Sequence, residues 1–153
     1  MRATEFTRGR EFALALDHGE DFYTALTAFC TEHEVRSAFV PVIIGAFRSA
    51  RLVGACEPPA DLEAPVWAET VVEYTEAQGS GTLAWDPDTG TLAPHIHIST
   101  GLKHESAHGR VGHLLGAEVQ FINEIHIVEV AHPRLLRRRN PGLYEVPLLG
   151  FDT

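Results

Sequence analysis

The chain has 153 residues, of which 44% are hydrophobic and 22% charged, as is typical of one globular domain with its own core. Its formal net charge of −9 opposes approach to nucleic acid and to anionic membranes, so we expect neither as a partner. The sequence has no apolar run of about 18 residues and no signal-peptide pattern, so we expect a cytoplasmic protein without a membrane span.

The first elements predicted along the chain are a strand and a helix. Residues 10–17 alternate between apolar and polar positions, which predicts a strand that turns at His18-Gly19. Residues 20–33 carry the clearest helical pattern in the sequence. Their apolar side chains recur on one helical face: Phe22, Leu26, Phe29 and Cys30.

The pattern then changes from helical to strand-like. A buried strand is predicted to end at Gly45, and a second strand follows within residues 48–57. Three prolines and little periodicity predict a loop over residues 57–67. Residues 69–78 predict another strand, which Gly79-Ser80-Gly81 follows.

The second half of the chain predicts a hairpin and a long strand. Residues 82–99 read as two strands around the turn sequence DPDTG at 86–90. A polar connection over 100–110 leads to a short strand, a bend at Gly116 and a long final strand that ends by Pro133.

Together these elements predict an α+β domain with a largely antiparallel sheet of about seven strands and one main α-helix. We expect the domain to span residues 1–133. Residues 134–153 are predicted to form a C-terminal tail whose apolar side chains dock on the body or on a neighbouring subunit. Within this tail four arginines form either a solvated segment or a contact with phosphate or a partner: Arg134, Arg137, Arg138 and Arg139.

Three histidines form the main candidate site. In a strand, residues i and i+2 share a face, so His95 and His97 of PHIHI project together, roughly 6.5 Å apart along the backbone. His113 follows His97 by sixteen residues, enough for a hairpin to return it beside the pair. Three neutral imidazoles favour zinc or another divalent transition metal and leave one coordination position for water or substrate. The alternative is a hydrogen-bonded structural cluster.

Other reactive side chains have simpler interpretations. The two cysteines, Cys30 and Cys56, are expected to be reduced and buried, with a disulfide or a catalytic thiol as the alternatives. The spacing of His104 and His108 would suit a metal pair on a helix, but their polar surroundings favour a solvated role.

Acidic and basic residues in the predicted strands supply further candidates. A buried carboxylate from Glu73, Glu124 or Glu129 could orient a ligand histidine or move protons if it lay near the metal. His126 shares a strand face with Glu124 and is interpreted as a structural histidine.

The TRGRE sequence at 7–11 is similar to the Arg-Gly-Arg core of an AT-hook, but it lacks the following proline and flanking basic residues, so we assign it no DNA-reading role.

The order of motifs resembles the plants-and-prokaryotes-conserved (PPC) domain over about residues 10–130. The segments that carry the resemblance are GEDFYTALTAFCTEHEV, GAFRSARL, VVEYTEAQG, PHIHIS, GRVGHLLG and NEIHIVEV. The resemblance implies an α+β domain that assembles as a homotrimer. In some bacterial and archaeal relatives, three histidines that match His95, His97 and His113 hold a metal assigned as zinc.

The chain departs from the plant branch of this family, whose AT-hooks bind DNA while the domain supports oligomerisation and partner contacts. It has no complete hook. Where plant members carry a partner motif, TVVEYTE keeps only the central Glu73. Val111 stands where the family often has the first of two glycines before the third histidine.

Three functions are compatible with this sequence. The first is a trimeric metal-binding domain with hydrolytic or lyase chemistry on a small molecule, in which the metal activates water. The alternative is a DNA-associated or regulatory binding module like the relatives with AT-hooks. The third is a structural trimer whose histidines only form hydrogen bonds with one another. The sequence identifies neither a substrate nor a general base.

Overall fold

The computed structural model describes residues 1–54, 68–105 and 108–152. The described residues form seven strands and one α-helix, in the predicted α+β class. The elements in chain order are β1 (Thr7–Asp17), α1 (Phe22–Glu32), β2 (Ala38–Val53), β3 (Glu69–Asp86), β4 (Thr91–Gly101), β5 (Gly109–His132), β6 (Arg134–Asn140), a 3-10 turn (Pro141–Leu143) and β7 (Val146–Asp152). Among these residues no helix is long and apolar enough to cross a membrane.

Four of the strands close into a small barrel. Strand β2 pairs antiparallel with both β3 and β5, and β4 also pairs antiparallel with both of them. Strand β1 adds to the outside of β5. On the other side, β6 meets β3 in parallel through the pair Trp85 and Leu136, and β7 pairs antiparallel with β6.

Helix α1 supplies apolar side chains to the core. It begins at Phe22 because Asp21 is its N-cap, with a carboxylate oxygen that accepts a hydrogen bond from the Thr24 backbone N–H at 2.8 Å. Phe22, Leu26 and Cys30 are its buried residues. Burial raises the pKa of the Cys30 thiol to about 11, so this cysteine remains a protonated, small apolar group. Cys56 and the loop predicted over 57–67 lie outside the described residues.

Several strands are longer than predicted, because they continue through glycines that were expected to interrupt them. Strand β2 continues through Gly45, where a break was expected, and β5 continues through Gly116. Both strands absorb the irregularity as register shifts within otherwise continuous ladders. Gly45 is paired with strands on both sides and Gly116 with β2, and these ladders hold the chain extended where sequence alone predicts a break or bend.

Strand β3 likewise continues through Gly79 and Gly81. At both glycines the neighbouring strand β4 approaches β3 closely. A Cβ on Gly79 would lie 2.5 Å from the His97 carbonyl oxygen, and one on Gly81 would lie 2.2 Å from that of His95. Only glycine allows this approach without displacing the backbone. The glycines therefore bring the histidine strand into place.

The C-terminal residues form the β6–β7 hairpin. Leu135 of β6 is buried in a small apolar cluster with Ala84 and Val130. Its backbone N–H donates to the Ser37 hydroxyl at 2.9 Å, which fixes the start of β6 against the segment that precedes β2. The division of the chain at residue 133 stays a prediction.

Candidate metal centre

Two neighbouring strands bring the three candidate histidines together. On β4, Ile96 and Ile98 are 0% and 1% exposed and point into the core, so His95 and His97 project from the other face. His97 lies directly opposite His113 in the β4–β5 ladder. The predicted alternation and hairpin return therefore place all three rings on one surface.

The rings form a compact group. Their centroids are 4.9 Å apart for His95 and His97, 5.0 Å for His95 and His113, and 5.4 Å for His97 and His113. The Nε2 atoms of His95 and His97 are 3.1 Å apart, and one nitrogen from each of the three rings lies within 4.8 Å of the others. Nitrogen ligands of a tetrahedral zinc ion, with Zn–N bonds of about 2.0–2.1 Å, lie roughly 3.3 Å apart.

The surroundings of His95 and His113 lower the pKa of both rings. Burial of its inner side, and then the nearby Arg137 guanidinium, lower the pKa of His95 to about 4. Burial and then His97 lower the pKa of His113. The buried Nδ1 of His113 has no hydrogen-bond partner in the described structure. Neutral imidazoles with an unsatisfied ring nitrogen fit a divalent transition metal, because the metal binds the neutral form.

Arg137 of β6 lies against the far side of His95. Its guanidinium donates to the Thr82 hydroxyl at 2.7 Å, to Nδ1 of His95 at 3.3 Å and to the Pro147 carbonyl at 3.5 Å. Its Nε is buried without a partner. The positively charged guanidinium of Arg137 therefore lies directly beside the histidine cluster.

This position of Arg137 differs from the solvated segment expected for the arginine run. Arg138 and Arg139 are exposed, as expected, but Arg137 is only 5% exposed. The alternation of a strand explains the difference, because Leu135 and Arg137 share the inner face of β6. Sequence reasoning missed this residue because the segment was interpreted as a tail; a strand assignment would have indicated that Arg137 faces inward.

A cleft of about 490 Å³ opens beside the cluster, on the outer face of the barrel. It has both polar and apolar walls. The side chains that define it are His97, Gln78, Ser80, Ser99, Val42, Ile44 and Val111. Val111, noted in the sequence for replacing a glycine, thus forms part of this wall.

The remaining histidine candidates lie apart from the cluster. His104 and His108 are exposed, and Nδ1 of His108 lies 3.3 Å from the Glu105 carboxylate, in agreement with a solvated role. His126 has its hydrogen-bond partner in Glu11 of β1, at 2.9 Å, rather than in Glu124.

The candidate carboxylates do not join the three rings. Within the described ranges, the group of possible metal ligands contains only the histidines. Glu73 and Glu124 are exposed, and Glu129 is bound by Arg10 through two hydrogen bonds of 2.7 Å. Arg8 of the hook-like segment also pairs with an acid, Glu11, at 2.9 Å. Both arginines of that segment therefore lie beside carboxylates, one from β1 and one from β5.

Solved structures with the same fold come from several prokaryotes. A protein from Archaeoglobus fulgidus described as metal-containing is 26% identical, with a TM-score of 0.80, over 98% of this chain and 99% of its own. A plant- and prokaryote-conserved protein from Pyrococcus horikoshii is 22% identical, with a TM-score of 0.78, over 100% of this chain and 99% of its own. Acetolactate decarboxylase from Bacillus subtilis shares the fold at 11% identity and a TM-score of 0.58, over 88% of this chain and 57% of its own.

The family comparison covers most of the chain, whereas no curated protein matches it significantly. The domain described as Plants and Prokaryotes Conserved (PCC, also written PPC) matches residues 3–131. This range contains the barrel, the helix and all three clustered histidines. The chain therefore belongs to the Plants and Prokaryotes Conserved domain family.

Proposed function

We propose that this chain binds a divalent transition metal, preferably zinc, through His95, His97 and His113. The observation that carries the proposal is the convergence of three imidazoles, with ligand atoms all within 4.8 Å of one another. The neutral state of His95 and the unpartnered Nδ1 of His113 support it. The metal-containing description of the similar Archaeoglobus fulgidus protein is further support.

We further propose that a small molecule binds in the adjacent cleft. A metal held by three protein nitrogens supplies a Lewis acid with one open position that can activate water. The chain's own residues would bind and orient the molecule. Val42, Ile44 and Val111 offer apolar contact, and Ser80 and Ser99 offer hydroxyls for its polar groups. In the part of the chain described, no carboxylate in the cluster supplies a base, so binding and orientation are the roles assigned.

We also propose that the chain assembles into a homotrimer, as the PPC resemblance implies, with this surface between copies. Val42, Ile44 and Val111 are exposed large apolar side chains in a single chain. Burial of such residues between copies would stabilise an oligomer and enclose the cleft beside His97.

Metal analysis of the purified protein tests the proposal. We expect close to one zinc ion per chain in wild type and almost none in His97→Ala, because removal of one of three ligands leaves too few. His104→Ala is the matched control, since this exposed histidine lies outside the cluster, and it should retain its metal. Equal, negligible metal in all three proteins after zinc loading would overturn the proposal.

One observation favours a second candidate, a metal-free structural cluster. The 3.1 Å separation of the His95 and His97 Nε2 atoms is also a normal hydrogen-bond distance. A protein of this kind should unfold at the same temperature with and without a chelator. The metal-binding proposal expects a lower unfolding temperature on chelation, because a ligand that binds only the folded state stabilises it.

A further inference from the structure

The hydrogen bond from Arg137 to His95 determines which nitrogen of that ring carries the proton. A guanidinium has only donor N–H groups, so Nδ1 of His95 must accept the bond through its lone pair. In a neutral imidazole the proton then resides on Nε2. The Nε2–H of His95 consequently donates to Nε2 of His97 at 3.1 Å. Arg137, His95 and His97 form a directed chain of hydrogen bonds.

This tautomer of His95 cannot bind a metal through Nε2, the atom that faces His97. A metal ligand must offer its lone pair there, and the ring proton must then lie on Nδ1. Histidine ligands in proteins usually donate that second N–H to a carboxylate or carbonyl. Here the position is occupied by Arg137, which would place two N–H donors against each other.

The hydrogen bonds of Arg137 provide a way to relieve this conflict. Its NH1 group already lies 3.5 Å from the Pro147 carbonyl, and its NH2 group is held by the Thr82 hydroxyl at 2.7 Å. A small rotation could therefore exchange the His95 nitrogen for the Pro147 carbonyl while the bond to Thr82 stays intact. The guanidinium remains satisfied without leaving its buried position.

We infer that Arg137 is a positioning residue that holds His95 in the tautomer unable to bind metal, so that it weakens metal binding. On metal binding the His95 proton moves from Nε2 to Nδ1, the ring stays neutral, and Arg137 turns to the Pro147 carbonyl. The inference rests on the proposed metal site. It gives a role to one member of the arginine run and links the β6–β7 hairpin to metal occupancy.

Nitrogen NMR of wild-type protein tests the tautomer directly. Long-range ¹H–¹⁵N correlation spectra at neutral pH, with His95 assigned by comparison with His95→Gln, distinguish a protonated from an unprotonated ring nitrogen. We expect the Nε2–H form without metal and the Nδ1–H form after addition of Zn²⁺. A His95 ring protonated on Nδ1 before metal addition would overturn the inference. This measurement requires no variant with a changed arginine.

Zn²⁺ affinity of Arg137→Met supplies the second test. Methionine fills similar space without a donor, so His95 can adopt the ligand tautomer freely, and we expect binding tighter by roughly tenfold. Arg138→Met is the matched control, because it removes an exposed arginine from the same strand, and its affinity should equal that of wild type. Unchanged or weaker binding by Arg137→Met would refute the inference while the metal site stands. A wild type that binds no Zn²⁺ would overturn the proposed function and this inference together.

Discussion

His95 has a more strongly perturbed environment than a strand histidine at a protein surface ordinarily has. One side of its ring is open to solvent, whereas the other lies against a buried guanidinium. Protonation of this ring would cost hydration energy and would place a second cation beside Arg137. The lowered pKa of about 4 favours the neutral form of this ring at neutral pH.

This property predicts how the stability of the metal-free protein depends on pH. The pKa of His95 is about 4 in the folded chain, against about 6.5 in an unfolded one. Between these values the unfolded state binds more protons, so the free energy of unfolding should decrease as pH falls from about 6.5 to about 4. Denaturant titrations at several pH values, with a chelator present, measure this slope.

The control for this prediction is His95→Gln. Glutamine cannot titrate, and its side-chain oxygen can still accept a hydrogen bond from Arg137. We expect a shallower slope in this variant across the same pH range. Equal slopes in the two proteins would show that His95 is not responsible for the pH dependence.

The sequence predicted part of this site for clear physical reasons. The alternation of a strand places His95 and His97 on one face, and the spacing of His113 allows a hairpin to return it beside them, as the PPC resemblance also implies. A strand assignment for β6 would have turned Arg137 inward but would not have placed it beside His95, because that contact depends on β6 packing beside β3, through a single bridge between residues distant in sequence. Contacts of this kind come from tertiary structure and leave no local pattern.

At the level of elements, the glycines of β3 set the position of the histidine strand. In Gly81→Ala the new Cβ would meet the His95 carbonyl oxygen at 2.2 Å, so β4 must move away. We expect the substitution to reduce the free energy of unfolding by about 2 kcal/mol or more and to weaken metal binding. Thermal or denaturant unfolding and a Zn²⁺ titration measure the two effects.

Gly101→Ala is the appropriate control, since Gly101 also lies in a paired strand, at the end of β4 opposite Gly109 of β5. A Cβ there would have its nearest neighbour, the Glu76 carbonyl oxygen, at 4.0 Å, which is an ordinary contact. Stability and metal affinity should stay close to those of wild type. Similar losses in both variants would mean that strand propensity, not the close approach of β4, accounts for the effect.

Element identity was easier to predict than element length. The helix and most strands follow from apolar periodicity, but Gly45, Gly79 and Gly116 were each interpreted as an interruption. In the structure all three lie inside strands. A glycine in an isolated strand weakens it, whereas in a closed barrel it permits close approach or a register shift. The local sequence does not distinguish these two uses.

For the whole molecule, the proposed trimer predicts the effect of a charge on the apolar surface beside the cleft. Wild type should have a mass three times the 16.8 kDa of one chain by light scattering during size-exclusion chromatography. Ile44 is 54% exposed in the single chain, and Ile44→Asp should shift the population toward monomer, because an unpaired carboxylate would be buried between copies. The exposed helix residue Ala28 supplies the control, and Ala28→Asp should remain trimeric. A monomeric wild type would contradict the proposed assembly.

The closed barrel also determines how this protein can meet other chains. Along the described sheet the path of paired strands ends at β1 and β7, so these two present outer edges, whereas β4 pairs with β3 over residues 91–100 and with β5 over residues 97–101. Strand addition by an extended peptide or by an aggregating neighbour requires unpaired main-chain groups, and it is therefore directed to β1 or β7. At His97 the main chain of β4 is paired with Ser80 on one side and His113 on the other, so a partner that approaches this histidine meets its side chain rather than unpaired main-chain groups.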